Sequence, residues 1–220
     1  MTERNQRTGQ TGRDDPGGLR ARVVAAGVDP LALEGVHALT LREIARRAGV
    51  SHGAPRRHFA THAELLAATA RHGFGRLATA LGLDGDHAAR SAAEVDGPAG
   101  ARARLDRLDR LARDHLAFAA EQPGMFELMF HHDVLEGGGA ELRRTSLPLF
   151  DALTRLVAVI HPPTDEDSPS PAAIAAALRA NLHGLAQLRA WGSLVLATGT
   201  DTLAPVLRAT LDAHLRPTPR

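Results

Sequence analysis

TLREIARRAGVSHGAPRRHF, residues 40–59, carries two short helical patterns joined at a glycine. Leu41, Ile44, Ala45 and Ala48 recur at helical spacing, which predicts an amphipathic helix over Leu41–Ala48. Thr40 stands where an N-cap belongs, and Glu43 follows three residues later, the pattern of a capping box. Gly49 is placed to end that helix, because glycine adopts the left-handed conformation at least cost. Val50 is free to plug between two helices, and Ser51 is expected to cap a second helix reaching about His58. A small residue at the crossing (Ala45), a turn glycine and a buried aliphatic are what a tight helix-turn-helix requires.

The outward residues of this stretch suit a polyanion. Arg42, Arg46, Arg47, Arg56 and Arg57 are cationic, and His52, His58 and the nearby His62 can donate hydrogen bonds. The second helix of such a motif presents its N-terminal residues to base edges in the major groove. A helical hairpin with solvated arginines would show the same pattern. Charge separates the two readings. Residues 1–81 hold twelve arginines against seven acids, a net +5, whereas residues 82–220 hold fourteen against eighteen, a net −4. A basic surface confined to one part of a chain is the electrostatic footprint of nucleic-acid binding.

LREIARRAGVSHGAPRRHF, followed by ATHAELLAATARHGFGRLATAL, resembles the DNA-binding domain of TetR-family transcriptional regulators over about residues 19–81. In that family the second and third helices and the start of the fourth touch DNA. Carried over, this implicates Thr40, Arg42, Ser51, His52, Ala54, Arg56, His58 and His62, and the outward charge adds Arg57. Three positions depart from the family pattern. Arg56 stands where an aromatic is usual, and His62 stands where a lysine is usual. Pro55 lies early in the recognition helix, which requires that helix to start at or just after His52. Further along, NLHGLAQLRAWG with GMFELMF upstream resembles one C-terminal subtype of these regulators, the HGLxxL or "WHG"-like form.

The 220 residues, 44% of them hydrophobic, suffice for one large or two small domains. The expected class is all-α: an N-terminal three-helix DNA-binding domain and a C-terminal helical-bundle domain for effector and dimerisation. Residues 1–18 are polar and read as a disordered tail, with Arg4, Arg7 and Arg13 able to follow a minor groove. Residues 19–81 form the DNA-binding domain, with a first helix over Leu19–Glu34 ended by Gly35 and broken between Gly27 and Pro30, and a fourth over Thr61–Leu81. The glycine- and aspartate-rich residues 82–100 read as a linker, and residues 101–220 as the second domain. There a long helix ends at Gln122, a Met-Phe run is stopped by Gly137–Gly139, and a helix over Glu141–Ile160 is interrupted by Pro148. Two final helices span about Ala172–Ala197 and Thr202–Leu215.

An apolar effector pocket is expected among Phe118, Met125, Phe126, Met129, Phe130, Phe150, His183, Gln187 and Trp191, with His115 and Asn181 as further polar groups to orient a mostly neutral guest. Dimerisation is expected on the last two helices, through Leu178, Leu182, Leu185, Leu188, Val195, Leu203, Val206, Leu207 and Leu211, with Gly184 and Gly192 allowing close approach. The absence of cysteine excludes disulfides, thiol nucleophiles and thiolate metal sites. His115, His131, His132 and His183 with Glu127 and Asp133 lack the His-x-x-x-His spacing of a helical metal site, so no metal or cofactor is expected. No G-x-S-x-G elbow and no phosphate loop is present, which argues against an enzyme. With no spanning run and no apolar leader, a cytoplasmic location is expected. The resulting expectation is a homodimeric repressor that binds double-stranded DNA at a palindromic operator and is released by a small organic effector. A regulator without an effector, and a helical metal protein or enzyme with a vestigial helix-turn-helix, are the alternatives.

Overall fold

The computed structural model describes residues 16–28, 31, 40–83, 98–131 and 139–215. Among them the chain forms ten helices and no strand. The first four are α1 (Pro16–Ala26), α2 (Leu41–Arg47), α3 (Ala54–His58) and α4 (His62–Ala80). The rest are α5 (Pro98–Glu121), α6 (Pro123–Phe130), α7 (Gly139–Ile160), α8 (Pro171–Ala190), α9 (Ser193–Thr198) and α10 (Leu203–Leu215).

Local chemistry sets the helix-turn-helix. Thr40 Oγ1 accepts the Glu43 N–H at 3.2 Å and starts α2. The helix ends in a Schellman motif: the Val50 N–H reaches Ala45 O at 3.0 Å and the Gly49 N–H reaches Arg46 O at 3.2 Å, with Gly49 at φ +66°. Ile44 and Ala45 are fully buried beneath it. The next helix differs from expectation at its start. Ser51 offers its carbonyl, not its hydroxyl, to the Ala54 N–H at 2.9 Å. Helix α3 is capped by Gly53 without a side-chain bond, and Pro55 falls in its first turn, where a missing N–H costs nothing. Thr61 caps α4 by accepting the Glu64 N–H at 3.1 Å, while the Glu64 carboxylate accepts the Ala60 N–H at 2.8 Å.

Several boundaries depart from the sequence reading, each for a local reason. Helix α1 starts at Pro16, before the expected Leu19 and inside the stretch read as a disordered tail; it stops at Ala26, next to the expected break, where the Gly27 N–H turns back to Val24 O at 3.0 Å. The stop expected at Gly35 lies outside the described residues, as do residues 1–15 and most of the 82–100 stretch. The end of that stretch is helical, since α5 begins at Pro98. Gly139 starts a helix where a stop was expected. Helix α7 runs unbroken through Pro148, an exposed position where water can serve the carbonyl that proline leaves unpaired. The predicted helix over Ala172–Ala197 is two helices, because Gly192 takes φ +71° and closes α8 by donating to Arg189 O at 3.0 Å.

Buried residues of α1, α2 and α4 join those of α5, α6, α8 and α10 in one apolar core. The junction is tight at two glycines. A Cβ on Gly73 would lie 2.5 Å from Met125 Sδ and 2.8 Å from Met129 Sδ. A Cβ on Gly124 would lie 1.8 Å from the Leu31 carbonyl oxygen. Helix α6 is therefore pressed directly onto the N-terminal unit. The Arg71–Glu141 ion pair at 2.8 Å adds a second tie, between α4 and α7. No helix of the described residues is long and apolar enough to cross a membrane.

Candidate nucleic-acid interface and ligand cleft

The helix-turn-helix sorts its arginines into two groups. Glu43 lies within reach of both Arg46 and Arg47 one turn on; Arg46 Nε donates to Glu43 Oε2 at 2.9 Å and Arg47 Nε to Oε1 at 2.6 Å. These hydrogen bonds, that from Arg46 first, hold the Glu43 carboxyl down at about 2. The two guanidiniums thus share one carboxylate at the surface, which leaves a net positive charge on this turn. Arg42, Arg56 and Arg57 are exposed and carry no ion pair among the described residues. Thr40, Ser51, His52 and His62 are exposed beside them, and Ala54 and His58 are half-buried. The scaffold is held from behind: Arg22 Nη2 donates to Ala48 O at 2.8 Å, and the Arg20 guanidinium lies 5.0 Å from the Phe59 ring centroid.

A cleft of about 510 Å3 opens between α7 and α8 and is floored by α4 and α5. Its walls are mainly apolar: Phe74 and Leu77 from α4 and Leu81 capping its end, Leu111 and Ala112 from α5, Phe130 from α6, and Leu149, Phe150 and Leu153 from α7. Four polar side chains reach it, namely His115, Ser146, Arg179 and His183. The rings form a cluster behind them. Phe126 stacks on His183 at 5.1 Å and meets His115 edge-on at 5.2 Å, and the Arg179 guanidinium sits 5.1 Å from the Phe130 centroid. His115 Nε2 and His183 Nδ1 are buried with no hydrogen-bond partner among the described residues. Burial, aided by the neighbouring His183 and Arg179 charges, pushes the His115 imidazole down to about 4. Burial also lowers His183 and Arg179.

Of the expected pocket residues, the cleft takes Phe130, Phe150 and His183. Phe118, Met125, Phe126 and Met129 are buried core instead; the methionines fill the space left by Gly73. Gln187 does not reach the cleft, and Trp191 closes α8 with 71% of its surface exposed. Asn181 also points elsewhere, 2.7 Å from His214 Nε2 across to α10. Arg179 was missed because an arginine on a helix reads as solvated. The available signal was its spacing of one turn from His183 on a helix otherwise rich in alanine and leucine.

The expected dimer residues divide by burial. Leu178, Leu182, Leu185, Leu207 and Leu211 are buried within the single chain, where α8 packs against α5, α7 and α10. Leu203 and Val206 are half-buried on the same core. Leu188 and Val195 remain outside at 40% and 42% exposure, beside Trp191 and the 88% exposed Leu196. Gly184 faces open space, whereas Gly192 serves the helix end. Among the described residues no three His, Asp or Glu side chains gather as a metal would need; His132 and Asp133 lie outside them.

A helix-turn-helix with exposed arginines, joined through one core to a cleft-bearing helical bundle, defines a two-part all-α regulator. Comparison with known proteins agrees. The family model described as "Bacterial regulatory proteins, tetR family" matches residues 23–69, and that described as "Tetracyclin repressor-like, C-terminal domain" matches residues 108–214. The chain belongs to the TetR family of transcriptional regulators. The C-terminal description does not name the HGLxxL subtype. Among solved structures, a protein of unknown function from Rhodococcus sp. RHA1 is 28% identical, with 96% of this chain and 98% of that one covered at a TM-score of 0.69. A transcriptional regulator from the same source is 26% identical, with 89% and 93% covered at 0.51. The multidrug binding protein EbrR, solved with imidazole, shares the fold at 23% identity, 93% of each chain covered and a TM-score of 0.56. No curated protein matches the chain.

Proposed function

We propose that this regulator is a homodimeric repressor that binds a palindromic DNA operator and is released by a small organic effector held in the α7–α8 cleft. It acts by binding and not by catalysis. The observation that carries the reading is the double role of α4. Its C-terminal half and C-cap supply Phe74, Leu77 and Leu81 to the cleft, and its N-terminus presents His62 next to the recognition helix α3. A guest that wedges α4 moves the DNA-reading helices with it. It shifts the equilibrium only by its differential affinity for the two positions of that helix.

DNA contact is assigned to Thr40, Arg42, Ser51, His52, Ala54, Arg56, Arg57, His58 and His62, with the exposed Arg42, Arg56 and Arg57 supplying the charge. Arg56→Ala weakens operator binding by about 1–3 kcal/mol if the guanidinium reads a base edge. If it holds a phosphate instead, binding to every sequence weakens alike and the salt slope falls by about 1. Gel-shift titrations at two salt concentrations, on the DNA flanking the gene and on random DNA, separate these outcomes. Binding that is unchanged on both DNAs removes Arg56 from the interface.

The partner subunit is assigned to the apolar surface left outside the core: Leu188, Trp191, Val195 and Leu196, at the end of α8 and along α9. Four large apolar side chains exposed within nine residues are costly in water and mark a surface that associates.

A further inference from the structure

We propose that the effector is an amphipathic organic acid: a single carboxylate on an apolar body, with the carboxylate held by Arg179 and His183 at the cleft mouth. The inference rests on the cleft being an effector site. It adds the chemical class of the guest, which the sequence led us to expect as mostly neutral.

Three observations lead there. The first is the balance of charge. Among the described residues lining the cleft there is one fixed cation, Arg179, and no aspartate or glutamate. Among the described residues Arg179 has no hydrogen bond or ion pair, and its guanidinium lies 5.1 Å from the Phe130 ring centroid. A guanidinium drawn partly out of water without a counter-charge is unfavourable, and a carboxylate matches its planar fork bidentately. One cation matches one negative charge, so a monoanionic carboxylate suits it better than a doubly charged phosphate. The same cation repels an amine.

The second observation is the pair of orphaned imidazoles. Among the described residues His115 Nε2 and His183 Nδ1 are buried without partners, although a buried polar atom normally finds one. Both rings are held in place, His183 by stacking on Phe126 and His115 by its edge-on contact with the same ring. They are rigid, neutral groups able to donate hydrogen bonds to a carboxylate oxygen. The third is the rest of the wall. Leu77, Leu111, Leu149, Phe150 and Leu153 line a cleft whose whole volume is about 510 Å3, within the range that takes a drug-sized body. Head-group chemistry at the mouth and an apolar interior describe an acid with a hydrocarbon or aromatic tail.

A matched set of probes tests this: decanoate, 1-decanol and decylammonium share one tail and differ only in the head. Each is titrated calorimetrically into the full-length protein and into its Arg179→Gln and Arg179→Lys variants, with circular dichroism melting to confirm folding. In the unaltered protein decanoate should bind at least tenfold more tightly than 1-decanol, and decylammonium should bind weakest. Arg179→Gln should collapse the preference of acid over alcohol and leave 1-decanol affinity unchanged, while Arg179→Lys should keep a large part of it. If decanoate and 1-decanol bind equally and neither responds to Arg179→Gln, the acid assignment is overturned and the effector cleft stands. If none of the three binds, the cleft is not a site for such tails, and the effector reading falls together with the acid assignment.

Discussion

His115 shows how one side chain ties the cleft to the stability of the whole fold. It is held neutral in the folded chain, at about 4, whereas the ordinary value is 6.5. The groups facing it are His183 and Arg179, and both oppose a further positive charge. On acidification the unfolded chain takes up a proton first, so stability is lost as pH falls from about 6.5 towards about 4. The loss between about pH 7.5 and about pH 5 comes to roughly 2 kcal/mol. His183, lowered in the same direction, adds to it. Urea unfolding at the two pH values should show this drop in the unaltered protein and a clearly smaller one in His115→Gln. An equal drop in both would mean that His115 is not the group responsible.

At the scale of an element, α6 joins the cleft to the N-terminal unit. Phe130 lines the cleft, Phe126 holds both histidine rings, Met125 and Met129 fill the notch at Gly73, and Gly124 meets the Leu31 carbonyl. The two glycine contacts differ in how they can relax. The obstacle at Gly73 is a pair of thioether side chains that can change rotamer, while at Gly124 it is backbone. Overpacking costs about 1–3 kcal/mol where neighbours cannot move. Replacing glycine by alanine within a helix returns about 1 kcal/mol of propensity. Gly73→Ala should therefore change stability little, whereas Gly124→Ala should destabilise by about 2 kcal/mol or more and loosen α6 from the DNA-binding unit. Chemical denaturation of the two variants measures the difference; equal effects would show that the Leu31 backbone yields.

At the scale of the molecule, the question is which leucines serve the core and which serve a second copy. Leu207 is 3% exposed inside the chain, while Leu196 is 88% exposed. Leu196→Glu should yield folded monomers that fail on a palindromic operator, since each half-site then loses its paired reader. Leu207→Asp should instead cost the fold itself, by several kcal/mol, because it buries a charge without a partner. Light scattering paired with circular dichroism distinguishes the two. A Leu196→Glu protein that remains dimeric moves the interface away from α9.

What the sequence determined by itself was the part of the fold set by neighbours in the chain. The cap at Thr40 and the left-handed turn at Gly49 involve partners within a few residues, so residue type and spacing suffice to place them. The all-α class followed for the same reason. Tertiary structure alone decided the rest. Whether the leucines of α8 face their own chain or another depends on where α5, α7 and α10 lie, and a helical period is blind to that. The methionine run became core because Gly73 stands opposite it, and the cleft formed instead where four helices diverge, around an arginine that a sequence reads as solvated. Cavities and interfaces arise from what distant segments leave unfilled. No single stretch carries that information, because the packing of each face is fixed only when every other helix has taken its place.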